Sequence, residues 1–309
     1  MRHPLSSPIP TTVAGCCRDG FFYLMAKPNT AKLINGKKLA GAILLELKTN
    51  VANLATPPGL AAILVGEDPA SHRYVQNKKR ACSRVGIEFH EYLCGKKCYP
   101  DITQAGLLEL VAWLNRDREV DGIIVQLPLP AKFDTGAVIN AIDPKKDVDG
   151  FHPKNRTQPQ NGPRTITPPL IAAIRLALQY TGENLAGKQA VVVAKNPVFF
   201  ESLLGALTQQ GLVVSQIKPD DPGLAAKTRD ADILVTIAGK KKLIKKSMVK
   251  PHAIVIDAGT TMVGKDRFVG DVEPAVAEVA DWLTPVPGGI GPLTVAMLLK
   301  NTCDLHGKE

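Results

Sequence analysis

Two side chains able to take part in proton transfer, Tyr74 and Lys78, stand four residues apart in the segment Tyr-Val-Gln-Asn-Lys. If this segment is helical, that spacing places the phenol and the amine on one face, one turn apart. A lysine amine can accept a proton near neutral pH only when burial or neighbouring dipoles lower its pKa. The pair therefore predicts a site for acid–base chemistry where this face lines a cleft.

An amide and a carboxylate are expected to reach the same cleft. Gln126 closes the apolar run Gly122–Val125, which predicts a buried strand, and Pro128 then directs the chain out of the sheet. Ligands of open parallel sheets bind outside the carboxyl ends of the strands, where Gln126 would lie. Asp149 follows one short helix later, in a turn-prone Asp-Gly sequence. Asp147 is better suited than Asp149 to cap that turn.

Alternating apolar runs and helical patterns must position these residues. In the first half, the sequence predicts helices at Leu39–Leu54, His72–Val85 and Ile102–Asn115, and strands at Ala61–Val65, Glu88–Tyr92 and Gly122–Gln126. This alternation is typical of parallel strands joined by crossover helices. A loop rich in Pro, Gln and Asn, Pro153–Pro169, indicates a domain boundary.

The second half predicts a nucleotide-binding sheet. After a helix at Leu170–Tyr180, four apolar runs predict strands at Ala190–Val193, Leu212–Ile217, Ile233–Ala238 and Ala253–Ile256. The phosphates of a cofactor are expected at the strand-turn-helix Val193–Gln210. A final helix, Leu293–Asn301, is predicted to fold back onto the first domain. The predicted fold class is α/β with two α/β domains, the second a Rossmann-like doubly wound parallel sheet, and an active-site cleft between them.

Composition excludes several function classes. A chain of 309 residues with 45% apolar content can bury two cores. No stretch approaches the roughly 18 consecutive apolar residues that span a bilayer, so no membrane partner is predicted. The net charge of +9 comes from scattered lysines and aromatics are only 5%, which favours an anionic small ligand over nucleic acid. The cluster Lys240–Lys246 is interpreted either as an attractor of phosphates or polyglutamate or as a solvated loop.

The cysteines and the first residues carry no chemistry of their own. None of the cysteines forms a Cys-x-x-Cys pair, so no metal is predicted and a reduced cytoplasmic chain is the simplest interpretation: Cys16, Cys17, Cys82, Cys94, Cys98 and Cys303. His90 lies near two of them, but a fourth ligand is missing. Residues 1–24 lack periodicity and indicate a disordered tail or an upstream start before Met25; a weak likeness to an organelle transit peptide leaves import open.

Four motifs occur in the order found in a known enzyme family: Tyr74–Lys78, Asp121–Pro128, Lys146–Gly150 and Thr284–Thr294. Together they resemble the bifunctional methylenetetrahydrofolate dehydrogenase/methenyltetrahydrofolate cyclohydrolase family, over about residues 32 to 302. The resemblance implies one-carbon folate metabolism, a homodimer, folate in the cleft and NADP on the second domain. It divides the chain into a tail (1–28), a folate-binding catalytic domain (29–166, completed by a C-terminal helix, 293–309) and a Rossmann-like NAD(P)-binding domain (167–292).

The resemblance also implies roles for individual residues. Lys78 becomes the central catalytic residue, Gln126 its partner and Tyr74 the ring that packs beside folate. Asp149 becomes the anchor of the pterin, because a carboxylate matches its adjacent amino and ring N–H donors. The turn formed by Pro287, Gly288 and Gly289 would border the folate.

The cofactor turn departs from the family. Family members carry glycines there, whereas this chain has Ala194-Lys195-Asn196 and then Phe200-Glu201, a bulky ring and a negative charge that oppose a phosphate. The candidate cofactor residues are Lys195, Asn196 and Gly259. We expect NADP binding to be weakened or lost. The dehydrogenase reaction is therefore more vulnerable than the cyclohydrolase reaction, which gives 10-formyltetrahydrofolate.

Two alternatives come from other classes. A non-catalytic folate-binding or partner-subunit protein would keep the cleft, but Lys78 and Gln126 argue against it, since a binder needs no water-activating amine. An unrelated Rossmann dehydrogenase is disfavoured by the missing glycine fingerprint and by the first-domain motifs.

Overall fold

The computed structural model describes residues 30–95, 99, 101–156, 166–195, 197–264 and 267–307. The predicted tail, residues 1–28, lies outside these ranges, and so do Cys98 and Asn196. Within them the chain forms two α/β domains, so the predicted fold class is confirmed. None of the helices in these ranges is both long and apolar enough to cross a bilayer.

The helices and strands follow one another along the chain with short connections. In chain order they are β1 (Lys32–Leu33), α1 (Gly36–Ala52), β2 (Gly59–Val65), α2 (Pro69–Val85), β3 (Glu88–Cys94), α3 (Gln104–Arg116), β4 (Gly122–Val125), α4 (Thr135–Ala141), α5 (Pro153–Arg156), α6 (Pro169–Tyr180), β5 (Gln189–Ala194), α7 (Pro197–Thr208), β6 (Val213–Ile217), α8 (Leu224–Arg229), β7 (Ile233–Ile237), β8 (Ile254–Asp257), β9 (Thr261–Val263), β10 (Arg267–Val269), β11 (Trp282–Leu283) and α9 (Ile290–Leu305).

The first domain is built on a three-stranded parallel sheet in the order β3-β2-β4. Every residue of the central strand β2 is buried, as expected of a parallel strand covered on both faces. Ala61 and Ile63 enter the apolar cluster beneath α3, whereas Leu60 and Ala62 enter the cluster formed with α1, α2 and α9. The carboxyl ends of β2 and β4 therefore point to one edge of the sheet.

Local signals fix the helix that carries the Tyr-Lys pair. The Asp68 carboxylate accepts a 2.8 Å hydrogen bond from the Ser71 N–H, and Pro69 occupies the first turn, where its missing N–H costs nothing. Gly86 ends the helix with a φ of +95°, a left-handed conformation that favours glycine. The predicted start at His72 is three residues late, because Asp68 caps the helix and Pro69 begins it.

The second domain contains a six-stranded parallel sheet in the order β1-β11-β8-β7-β5-β6. The four predicted strands are present as β5 to β8, and the order reverses between β5 and β7, which is a topological switch point. Strands β1 and β11 were missed because two residues give no detectable apolar run. The strand Lys32–Leu33 joins this second sheet, although the sequence grouped residues 29–166 in the first domain.

Two further elements connect the domains. The antiparallel hairpin β9–β10, which was not predicted, follows β8 and reaches α2 of the first domain. Helix α9 packs with Leu293 and Ala296 in the second domain's core and with Leu298 and Leu299 in the first domain's core. This confirms the prediction that the last helix folds back onto the first domain.

Candidate active site

The predicted Tyr-Lys pair lies on α2 and is half-buried beside the end of β4. The Lys78 amine donates a 2.8 Å hydrogen bond to Gln126 Oε1. Gln126 is fixed in turn, since its amide nitrogen donates to the Leu127 carbonyl at 2.8 Å and its backbone N–H donates to Ile63 of β2 at 2.8 Å. The structure thus joins Lys78 to Gln126, as the sequence predicted.

The electrostatics of this cluster are governed by burial. Lys78 and Asp149 keep some exposure as whole residues, but their charged groups lie among protein atoms. Burial lowers the pKa of the Lys78 amine, and the negative charge of Asp149 opposes that shift. Burial raises the pKa of Asp149 to about 6, opposed by the charge of Lys78. The two groups therefore interact, and both favour their neutral forms more than they would in water.

Asp149 is presented by a tightly braced turn. Asp147 is buried and accepts hydrogen bonds from the Gly150 N–H (3.0 Å), the His152 N–H (2.8 Å) and the Asn155 side-chain amide (2.9 Å). The prediction that Asp147 caps this turn is confirmed. Because Asp147 serves these donors, Asp149 is the carboxylate left to face the lysine.

A residue that sequence reasoning missed, Asn301 of α9, holds the same turn from outside. Its side-chain amide donates to the Val148 carbonyl at 2.9 Å and to the Thr167 carbonyl at 3.0 Å. These two carbonyls flank the segment that leads from Asp149 into the second domain. No local pattern reveals this contact, because Asn301 lies 153 residues from Val148 in the sequence.

The Pro-Gly-Gly turn lies on the amino terminus of α1. The Lys37 N–H donates to the Gly288 carbonyl at 3.0 Å, and Gly288 has a φ of +107°. A Cβ on Gly36 would lie only 1.8 Å from the Gly289 carbonyl oxygen, so these two segments approach each other too closely for any residue but glycine at position 36. These contacts explain the shape of the turn; the folate contact of Pro287, Gly288 and Gly289 stays a prediction.

A cavity of about 570 Å³ opens between the domains, near the segments that carry Gln126 and Asp149. Its second-domain wall includes Ala194, Lys195 and Ile237, at the ends of β5 and β7, which is the switch point expected for a dinucleotide. Its first-domain wall includes Leu127, next to Gln126, and Phe151, two residues after Asp149. Chain neighbours of Gln126 and Asp149 thus line the cavity, whereas Tyr74, Lys78, Gln126 and Asp149 are not themselves among its lining residues.

Among the described residues of the diverged turn, Lys195 lines this cavity. Phe200 packs against the second domain's apolar core and is not among the residues that line the cavity, whereas Ser202 does line it. Helix α7 begins at Pro197, and Glu201 is exposed. The expected obstruction by the Phe200 ring is therefore absent from this arrangement. Asn196, one of the candidate cofactor residues, lies outside the described residues.

Two buried carboxylates at the ends of β7 and β8 were also missed. Asp271 accepts hydrogen bonds from the Thr236 hydroxyl (2.8 Å), the Ala238 N–H (2.7 Å) and the Lys240 N–H (2.8 Å). Asp257, whose pKa burial raises to about 7, accepts from the N–H groups of Gly259, Asp271 and Val272. The signal available in the sequence was an aspartate within two residues of a glycine after each of two apolar runs, Asp257 with Gly259 and Asp271 with Gly270.

These carboxylates give Gly259 a structural role. A Cβ there would lie 2.0 Å from the Asp271 carboxyl carbon, so only glycine fits. Its cofactor contact stays a prediction.

The surface cluster Lys240–Lys246 forms ion pairs with glutamates. Lys245 pairs with Glu273 (3.6 Å) and Lys246 pairs with Glu278 (2.6 Å), which accords with a solvated loop.

The sequence matches two family models over most of its length. The model described as tetrahydrofolate dehydrogenase/cyclohydrolase, catalytic domain, covers residues 34–149, and the NAD(P)-binding domain of the same proteins covers residues 167–309. The chain is 42% identical to the bifunctional protein FolD of Geotalea daltonii over 278 residues, which is 89% of this chain and 98% of that protein. It is also 42% identical to FolD of Acetivibrio thermocellus, covering 88% and 95%.

Solved structures agree with these sequence matches. A bifunctional FolD dehydrogenase/cyclohydrolase from Campylobacter jejuni superposes with a TM-score of 0.81 at 35% identity and covers 89% of this chain and 98% of that one. The Trypanosoma brucei dehydrogenase-cyclohydrolase, solved with NADP and an inhibitor, gives a TM-score of 0.83 at 34% identity and covers 89% and 97%.

Proposed function

Because the chain belongs to the tetrahydrofolate dehydrogenase/cyclohydrolase family, we propose that Lys78 catalyses hydrolysis of 5,10-methenyltetrahydrofolate to 10-formyltetrahydrofolate in this cleft. The same cleft serves NADP-dependent oxidation of 5,10-methylenetetrahydrofolate. The observation that carries the proposal is the 2.8 Å bond between Lys78 and Gln126 next to Asp149. A non-catalytic folate binder or partner subunit is not favoured, since both domain models match and the curated relatives are bifunctional enzymes.

The hydrolysis needs a base that is uncharged. The methenyl carbon lies between two folate nitrogens and carries a positive charge, so water must lose a proton as its oxygen bonds to that carbon. The Lys78 amine, with its pKa lowered by burial, accepts this proton. The added hydroxyl then loses its proton and its oxygen forms the formyl C=O as the carbon–N5 bond breaks, N5 takes up a proton, and the formyl group stays on N10. Gln126 Oε1 accepts a hydrogen bond from the Lys78 amine and so orients the lone pair of that amine. Because the amide is neutral, it adds no charge that would raise the pKa of Lys78.

Tyr74, Asp149 and the Pro287-Gly288-Gly289 turn hold the folate in this proposal. Tyr74 stacks on the substrate, and the Asp149 carboxylate accepts two hydrogen bonds from the amino and ring N–H groups of the pterin. Support comes from the braced turn that fixes Asp149 and from its interaction with Lys78. This arrangement puts the reacting carbon near the amine.

The cavity between the domains fits a nicotinamide cofactor. Its position at the switch point, the Lys195 side chain in its wall and the start of α7 at Pro197 provide space and favourable charge for an anionic dinucleotide. NADP would supply the hydride acceptor for the oxidation when bound. Lys195, Asn196 and Gly259 are proposed to hold it. A lysine provides one point charge without arginine's fork, so a 2′-phosphate is held less tightly than by an arginine.

We also propose a homodimer, a cytoplasmic location and a supply of formyl groups to purine biosynthesis. The outer edge of β3 is unpaired among the described residues, and the neighbouring Trp113 is 50% exposed, which suits an interface. Among the described cysteines, Cys82 and Cys303 carry free thiols, in accord with a reducing compartment. Light scattering of the purified protein would establish the assembly.

Two absorbance assays test the proposal, one for methenyltetrahydrofolate hydrolysis and one for methylenetetrahydrofolate oxidation with NADP. We expect Lys78→Ala to lower hydrolysis by about 100- to 10,000-fold, the range typical of a general base. Lys79→Ala is the matched control, because Lys79 lies on the same helix in an exposed pair with Glu91. Retained hydrolysis in Lys78→Ala would refute the catalytic assignment. No oxidation by the wild-type chain would refute the NADP half alone.

A further inference from the structure

The hairpin β9–β10 of the second domain contacts the face of α2 that carries the proposed folate-stacking ring. The Phe268 ring centroid lies 5.9 Å from that of Tyr74, with the ring planes tilted by 37°. This distance is within direct aromatic contact and leaves no room for a ligand between the rings. A substrate ring that stacks on Tyr74 must therefore approach its other face.

Phe268 is held by two consecutive residues of α2. The Arg73 guanidinium lies 5.6 Å from the Phe268 ring centroid, in cation–π geometry, while Tyr74 contacts the same ring. Neighbouring helical residues point about 100° apart, so Arg73 and Tyr74 contact the Phe268 ring from two directions. These two contacts fix the position of the hairpin on the first domain.

Thr260, at the base of the hairpin, acts on the other end of the same tyrosine. Burial raises the pKa of the Tyr74 phenol, and a side-chain hydrogen bond with Thr260 opposes the shift. The ring of Tyr74 is therefore contacted on one side by Phe268, and its hydroxyl lies close to the Thr260 side chain. Both contacts come from the domain that does not carry Tyr74.

We propose that Phe268 is a positioning residue for folate, which fixes the Tyr74 ring in the orientation that stacks on the substrate. The inference rests on the proposed stacking role of Tyr74. A free tyrosine samples several rotamers, and ordering such a side chain when a ligand binds weakens affinity. The hairpin removes that cost before the substrate arrives. Through Phe268, the second domain therefore contributes to folate affinity at a residue that does not itself touch folate.

The first test compares folate affinity in Phe268→Ala and the wild type. We expect KM for methenyltetrahydrofolate, and Kd for 5-formyltetrahydrofolate by calorimetry, to rise about three- to tenfold. The kcat for hydrolysis should stay within about twofold, because binding of the ground state and of the transition state is weakened equally. Phe268→Tyr should restore affinity, since it keeps the ring. The control is Val263→Ala in the paired strand, one residue from Met262, which is the cross-strand partner of Phe268. Unchanged KM and Kd in Phe268→Ala would overturn the proposal.

A double-mutant cycle with Tyr74→Ala separates this inference from the proposed function. If Phe268 acts through Tyr74, adding Phe268→Ala to Tyr74→Ala should cause no further loss of affinity. Additive losses would overturn the positioning role while leaving Tyr74 as the stacking residue. If Tyr74→Ala alone leaves the Kd for 5-formyltetrahydrofolate unchanged, the stacking role proposed above fails and the positioning role falls with it.

Discussion

The Lys78 amine and the Gln126 carboxamide are joined by a 2.8 Å hydrogen bond although they lie 48 residues apart in the sequence. The bond crosses from a helix to the end of a neighbouring strand, so it depends on how α2 packs on the first domain's sheet. Gln126 offers an oxygen without a charge. This allows burial to lower the pKa of the lysine while its lone pair stays directed.

Replacing that neutral oxygen with a carboxylate should move the pH dependence of hydrolysis. In Gln126→Glu, a negative charge beside Lys78 favours the ammonium form and raises the pKa of the amine by about 1 to 3 units. Because the neutral amine is the active form, the rise of kcat with pH should shift upward by the same amount, and the rate at pH 7 should fall at least about tenfold. Stopped-flow hydrolysis between pH 6 and 10 would measure this shift. Gln209→Glu, an exposed change of equal charge, should leave the profile unaltered.

Asp149 should impose an acidic limit on folate binding. Its pKa of about 6 reflects burial, opposed by Lys78 and reinforced by Asp147, so the carboxylate is ionised at pH 7 and protonated at pH 5. Protonation removes an acceptor needed by the pterin, and KM for folate should therefore rise as pH falls through 6.

Asp149→Asn should make folate binding independent of that titration. At pH 7 its KM should exceed the wild-type value by about 10- to 100-fold, the cost of one charged hydrogen bond. Between pH 5 and 7 its KM should stay flat. A variant that kept the wild-type pH dependence would show that another group titrates.

Removing the Asn301 amide should loosen the Asp149 turn. Asn301→Ala leaves the Val148 and Thr167 carbonyls without their donor and should lower the free energy of unfolding by about 1 to 3 kcal/mol. The folate KM should rise several-fold, with a smaller effect on kcat. Urea unfolding and steady-state kinetics measure the two effects. Lys300→Ala, an exposed change on the same helix, should alter neither quantity.

The buried Asp271 should be required for stability of the second domain. Asp271→Ala would leave the Thr236 hydroxyl and the Ala238 and Lys240 amides unpaired, at a cost of about 3 kcal/mol or more. A clear fall in the urea midpoint is expected, whereas the exposed Asp220→Ala should leave the midpoint in place. Equal midpoints for the two variants would contradict the bracing role.

The sequence by itself determined the local features. The strands β2 and β5 are buried apolar runs bounded by turn residues, and the spacing of four between Tyr74 and Lys78 places them on one helix face. The role of Asp147 as a turn cap was also predictable, because such caps act within a few residues. Each of these features depends on chain neighbours.

Only the tertiary structure decided which distant groups meet. Lys32–Leu33 joins a sheet whose other strands begin 157 residues later at Gln189, and Asn301 reaches back to Val148. Phe200 packs into the core instead of into the cofactor cavity, although the sequence suggested an obstruction. Such contacts leave no periodic trace along the chain, because they follow from how helices and sheets pack once their apolar faces are buried.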